Sequence, residues 1–215
     1  MMKLEHPRIL PESELTQCFE LPDEDAFENC LFSGVDMPFE RLRSREFRGC
    51  VFRKCTLTDA DLTRAGFTDV VFDHCDLSRA THDTAVSQRV RIDTCRLSGA
   101  DMVKGILRST AFEDCRADYI NLSEARLDHV RFRGCALAEA ALEAVTLKAA
   151  EFADCDPRQP VPNGAEGPGS DHLHPGRAAG ESARPARLDR HAPPGGGAVQ
   201  APGPGHPIRQ QEEAP

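Results

Sequence analysis

Phe47-Arg48-Gly49-Cys50-Val51-Phe52-Arg53-Lys54-Cys55-Thr56-Leu57-Thr58-Asp59-Ala60-Asp61-Leu62-Thr63-Arg64-Ala65-Gly66-Phe67 places a large apolar residue at every fifth position. A small residue precedes most of these by two places. Side chains recur every 3.6 residues in a helix and every 2 in a strand, so a period of five calls for a repeat architecture. Followed in both directions, the frame runs from Phe27 to Phe152, and 23 of its 26 positions are Leu, Ile, Phe or Met. The exceptions are His82, Ser87 and Ala117.

A slower period lies over the five. Cys55, Cys75, Cys95, Cys115, Cys135 and Cys155 recur at intervals of twenty, as do Phe32, Phe52, Phe72, Ile92, Phe112, Phe132 and Phe152. Four pentads therefore make one turn of a coil, and residues n and n+20 stack. Each turn is a square whose sides point two residues inward by strand-like alternation. At the usual strand spacing of about 4.8 Å, the repeats predict an all-β quadrilateral β-helix of about 6.5 coils of twenty residues.

The motif appears nearly intact as Ala60-Asp61-Leu62-Thr63-Arg64, Cys75-Asp76-Leu77-Ser78-Arg79 and Ala100-Asp101-Met102-Val103-Lys104. These units resemble the pentapeptide-repeat family, and the resemblance implies a right-handed coil. Phe47-Arg48-Gly49-Cys50 and Phe132-Arg133-Gly134-Cys135, alternating with Ala-Asp-Leu units, are similar to the Qnr- and MfpA-type subgroup. So is Cys115-Arg116-Ala117-Asp118-Tyr119-Ile120-Asn121-Leu122-Ser123. That resemblance implies a DNA-shaped dimeric rod that binds DNA gyrase or topoisomerase IV and alters quinolone sensitivity. Three departures stand against it: no inserted loops, a neutral central region, and no evident dimerising C-terminal helix. A homodimer rests on the resemblance alone.

Charge is unevenly spread. Residues 1–40 hold 10 acidic and 2 basic groups, whereas residues 41–155 hold 18 of each. Mimicry of a polyanion is not a property of the whole coil, since steering depends on where charge sits. The nine cysteines suggest a disulfide scaffold, but stacked inward cysteines lie about 4.8 Å apart, and a disulfide wants Cβ atoms about 3.8 Å apart. They read as small core hydrophobes. No zinc spacing occurs. With no secretory segment and no apolar run near the roughly 18 residues of a membrane span, the chain is expected to be soluble and cytoplasmic.

Residues 1–24 are off-pattern and are expected to cap the first coil, because an open solenoid end exposes core and unpaired backbone. Pro11-Glu12-Ser13-Glu14-Leu15 suits a short helix, which sets Leu15, Phe19 and Leu21 over that end. The alternative is a degenerate first coil containing Cys18. Residues 25–156 form the β-helix. Asp36, Asp61, Asp76, Asp101 and Asn121, each before a large apolar position, are expected to accept local backbone hydrogen bonds at turns. Polar His82 and Ser87 predict a local bulge or flattened side. Ala117 opens space that the larger Ile120 fills. Residues 157–215 are expected to be a disordered tail, as the final 60 residues hold 12 Pro and 10 Gly. His172 and His174 lie there and are too isolated to make a metal site.

Nothing in the sequence resembles a nucleophile–base constellation, a phosphate loop or a metal-protease motif, so a non-catalytic protein without a cofactor is expected. Outward positions instead form ladders. One reads Asp73, Asp93, Glu113, with Asp76 and Asp114 alongside, and is the candidate docking surface. A basic column, Arg91 and Arg131 with Arg89 and Arg108 near by, is expected to give the coil faces of opposite charge that orient a protein partner. The partner class is a protein, a type II topoisomerase by the resemblance. Direct nucleic-acid or membrane binding is not expected. A generic scaffold without topoisomerase activity is the alternative.

Overall fold

The computed structural model describes residues 2–21 and 23–155. The Pro/Gly-rich segment, with His172 and His174, lies outside the described residues. Among the described residues ten strands run in order: β1 (Thr16–Cys18), β2 (Ala26–Glu28), β3 (Cys30–Ser33), β4 (Glu46–Arg48), β5 (Val51–Arg53), β6 (Gly66–Asp73), β7 (Val86–Asp93), β8 (Ile106–Glu113), β9 (Arg126–Arg133) and β10 (Thr146–Ala153). Every pairing is parallel, and from β2 onward the partners lie twenty residues apart, as in Phe52↔Phe72 and Ile92↔Phe112, except at Ala149↔Asp128. The chain is a right-handed β-solenoid of about 6 coils.

Strands supply two sides of each coil, and turns joined by single parallel bridges supply the other two. Thr56, Asp76, Arg96 and Arg116 form one bridged column; Asp61, Thr81, Asp101 and Asn121 form the second. Asp61, Asp76, Asp101 and Asn121 each accept a hydrogen bond from the backbone N–H two residues on, at 2.9–3.2 Å. These are the Asx turns anticipated from short acceptor side chains.

Each corner has a fixed backbone device. From Asn29 to Asp154 every fifth residue has positive φ, with Ala149 the sole exception, and only Gly34, Gly49, Gly99 and Gly134 among them are glycine. The N–H of such a residue donates to the carbonyl 19 positions later: Lys54 to Asp73, Arg64 to Asp83, Tyr119 to Ala138. A left-handed residue with a Cβ costs roughly 1–2 kcal/mol. The rung-to-rung hydrogen bond and the inward packing it permits offset that cost.

The interior is a stack of rings. Phe32, Phe52 and Phe72 stack with centroids 4.7 and 4.8 Å apart, and Phe112, Phe132 and Phe152 at 4.5 and 5.0 Å. A second stack, Phe27, Phe47 and Phe67, meets the first edge-on. Burying each ring contributes about 1.5–3 kcal/mol. All nine cysteines are free thiols. The inward ones bond to the backbone: Cys75 Sγ donates to the Phe52 carbonyl at 3.4 Å, and Cys135 Sγ to that of Phe112 at 3.4 Å. Ala117 and Ile120 are both fully buried, the exchange of bulk that the sequence suggests.

Three expectations need correction. The coil shows no bulge at His82 and Ser87, since Phe67↔Ser87↔Leu107 holds the twenty-residue register and His82 N–H donates to the Asp101 carbonyl at 2.6 Å. The main-chain ladder outweighs two wrong side chains, and the mismatch is absorbed inside. A register shift occurs instead at Leu147–Ala150 in β10, the last rung, where positive φ is lost at Ala149. At the other end, β1 pairs with β3 only 14 residues on, Thr16 with Cys30, so the chain joins the ladder through a shortened turn. Leu21 packs on the core, but Leu15 lies outside it, on Leu31, Val51 and Val71, and Phe19 is exposed. Leu15 follows the outward alternation of its rung, so it covers a side and not the end.

Candidate docking face

The ends of β6, β7 and β8 place Asp73, Asp93 and Glu113 in one hydrogen-bonded column, each the register partner of the next. Their side chains face outward because Phe72, Ile92 and Phe112, one residue earlier, face in. Asp114 sits beside Glu113 at the corner, exposed, with φ 51°. Asp76 lies past that corner on the adjacent side, stacked between Thr56 and Arg96. The structure therefore brings together three of the five candidates, with a fourth at their edge.

Arginines border the ladder. Arg53 is the register partner of Asp73 and approaches it to 3.5 Å; Arg133 is that of Glu113. Arg91 Nη1 lies 3.8 Å from Asp93 Oδ2, and Arg96 Nη1 lies 3.9 Å from Asp76 Oδ2. Asp73 Oδ1 also hydrogen-bonds with His74 Nδ1 at 2.6 Å, and Asp93 accepts from Thr94 Oγ1 at 2.9 Å. The expected opposite-charge faces are corrected here. Arg91 stands two residues before Asp93 on β7, and Arg131 two residues before Arg133 on β9, in the rung next to Glu113; positions i and i+2 of a strand share a face. Acid and base lie side by side on one surface.

A neighbouring column carries a two-point ion pair. Arg89 donates to both carboxylate oxygens of Asp69 at 2.7 Å, and both side chains are largely buried. Those bonds hold the Asp69 carboxyl below its ordinary pKa, against the opposing effect of burial. The main-chain N–H of Arg8 donates to the same carboxylate at 2.9 Å. Sequence reading missed this contact, because the N-terminal segment carries no repeat and its partners lie some sixty residues away.

Among the described residues His82 is the one buried titratable side chain that the repeat does not explain. It is buried beside Phe67, and its Nδ1 makes no hydrogen bond. Together with Ser87 and Thr110 it borders a core cavity of about 20 Å³. Burial pushes its pKa down to about 4, so the ring is neutral at pH 7. Among the described residues no group of three or more His, Cys, Asp or Glu side chains is placed to hold a metal ion. No helix among them is long and apolar enough to cross a membrane.

The repeat geometry agrees with comparison to known families. Residues 46–81 match the profile described as pentapeptide repeats (8 copies), and residues 85–158 match that of the pentapeptide repeat region, together just over half of the chain. The chain belongs to the pentapeptide-repeat family. Among curated proteins none matches it significantly. Solved pentapeptide-repeat structures do align with it. Full-length QnrB1, a plasmid-mediated fluoroquinolone resistance protein, shares 19% identity over 68% of this chain and 85% of its own, with a TM-score of 0.26. Rfr23 from the cyanobacterium Cyanothece 51142 shares 14% identity over 58% of this chain and 88% of its own, with a TM-score of 0.25. HetL from Nostoc, involved in heterocyst differentiation regulation, shares 16% over 62% of this chain and 65% of its own, with a TM-score of 0.22.

Proposed function

We propose that this pentapeptide-repeat protein is a non-catalytic docking scaffold, and that Asp73, Asp93 and Glu113, with Asp114 at their edge and Asp76 on the adjacent side, form its docking surface. The supporting observation is the column itself: three carboxylates held in register on adjacent hydrogen-bonded rungs. A row of carboxylates fixed by main-chain pairing meets a row of Arg or Lys with little ordering cost. By the similarity of its Phe-x-x-Cys and Ala-Asp-Leu units to the Qnr- and MfpA-type subgroup, the partner is a basic groove on a type II topoisomerase. The consequence of docking is altered quinolone sensitivity.

A second reading keeps the scaffold and drops the topoisomerase. It is favoured by Arg53, Arg91 and Arg133, which border the ladder and make a mixed-charge face out of what would be a polyanionic one. Titration of the full chain against purified gyrase, with duplex DNA as competitor, separates the two. Micromolar binding that DNA displaces supports the first reading. No binding at micromolar concentration leaves the second.

A further inference from the structure

The N-terminal arm, residues 2–10, is laid along the outside of the solenoid, and successive points of it meet successive rungs. Where the arm meets the 3-10 turn Glu12–Glu14, both Glu12 carboxylate oxygens accept from Arg53 at 3.1 and 3.2 Å. Ile9 packs on the outward apolar strip of Leu15, Leu31, Val51 and Val71. The Arg8 N–H reaches Asp69, and Glu5 lies 4.0 Å from Arg89. At the far end the Met2 carbonyl accepts from Arg131 Nη2 at 3.5 Å.

Two features of this seat define what it recognises. Asp69 and Arg131 hold main-chain atoms of the arm, an N–H and a carbonyl, while Ile9 and Glu5 are engaged through their side chains. Main-chain contacts supply affinity for any extended segment, and alternate side chains supply selectivity. The seat is also loose. Between its anchors Lys3, Glu5, His6 and Arg8 border an open cleft of about 520 Å³ against Ser109 and His129. A segment held by few buried contacts opens at small free-energy cost.

We infer that this strip, from Val51 and Val71 through Asp69 and Arg89 to Arg131, is a docking site for an extended peptide of a partner protein, kept closed in the isolated chain by the arm. The peptide it takes has a bulky aliphatic residue and, four positions earlier, a carboxylate, as Ile9 and Glu5 provide. The tethered arm competes at high effective concentration, so a partner segment must displace it or find it lifted.

The test uses the full chain with Arg8→Pro and Ile9→Asp, which removes the N–H donated to Asp69 and the aliphatic anchor, after circular dichroism shows that the fold is kept. Binding of a fluorescent peptide with the sequence of residues 2–12 is followed by anisotropy. The released variant should bind at least tenfold more tightly than the parent, and adding Asp69→Asn with Val71→Ser should weaken that binding at least tenfold. If the double variant does not fold, Ile9→Asp alone takes its place. No binding to the folded variant at millimolar peptide, equal binding to the parent, or binding indifferent to Asp69 and Val71 would each overturn the inference.

Discussion

Arg89 grips Asp69 from the next rung through two hydrogen bonds of 2.7 Å, Nε to Oδ1 and Nη2 to Oδ2, with the two side chains only 13% and 15% exposed. The same carboxylate holds the arm through Arg8. Two elements far apart in sequence therefore depend on one ionised group.

Asp69→Asn should accordingly cost about 2 kcal/mol at pH 7, as expected for charge-assisted hydrogen bonds shielded from water. The carboxyl is held below its ordinary pKa, so its contribution is complete above the unfolded value of about 3.9 and is lost as pH falls through the folded value. Urea unfolding of parent and variant should differ at pH 7 and converge well below pH 4. A difference that persists unchanged at acid pH would show that ionisation is not its source.

The corners make a prediction about backbone alone. Arg64 has φ 58° and an exposed side chain. Glycine adopts that conformation freely, whereas a β-branched residue resists it. Arg64→Gly should stay within about 1 kcal/mol of the parent, and Arg64→Val should be less stable than Arg64→Gly by about 1–2 kcal/mol. Thermal denaturation ranks the pair. Equal stabilities would mean that the turn relaxes out of the left-handed region.

His82 predicts a pH dependence of the opposite origin. Its folded pKa lies near 4, below the usual 6.5, because burial disfavours the charged ring. Between those values the unfolded chain binds a proton that the folded chain does not, so stability rises with pH across the window. One such group contributes a slope of at most about 1.4 kcal/mol per pH unit. His82→Leu, which restores the apolar residue of the repeat, should raise the melting temperature at pH 5 more than at pH 8. An equal gain at both would place the ring in water.

Much of this architecture is legible in the sequence because the inward residues repeat their own environment. Phe72 sits where Phe52 does, one rung on, so period reveals contact. The Asx turns at Asp61, Asp76, Asp101 and Asn121 are legible for the same reason. The arm is not, because Ile9 and Arg8 meet outward columns that have no required composition. At His82 and Ser87 the side-chain pattern breaks while the main-chain ladder continues, since hydrogen bonds between rungs do not read side-chain identity. The site is half legible: spacing by twenty places Asp73, Asp93 and Glu113 in one column, whereas Arg91 joins their face through strand alternation, which a reading by columns overlooks.

The docking role proposed for this column is tested most directly by reversing its charge. Changing Asp73, Asp93 and Glu113 together to lysine should leave the fold intact, since all three face outward, and binding to gyrase should be compared with the parent across a range of salt. Single reversals on a surface are worth about 1 kcal/mol or less, so the set is tested as one. Binding weakened at least tenfold, with a flatter salt dependence of what remains, is the predicted result. A folded triple variant that binds gyrase as tightly as the parent, with the same salt dependence, would contradict it.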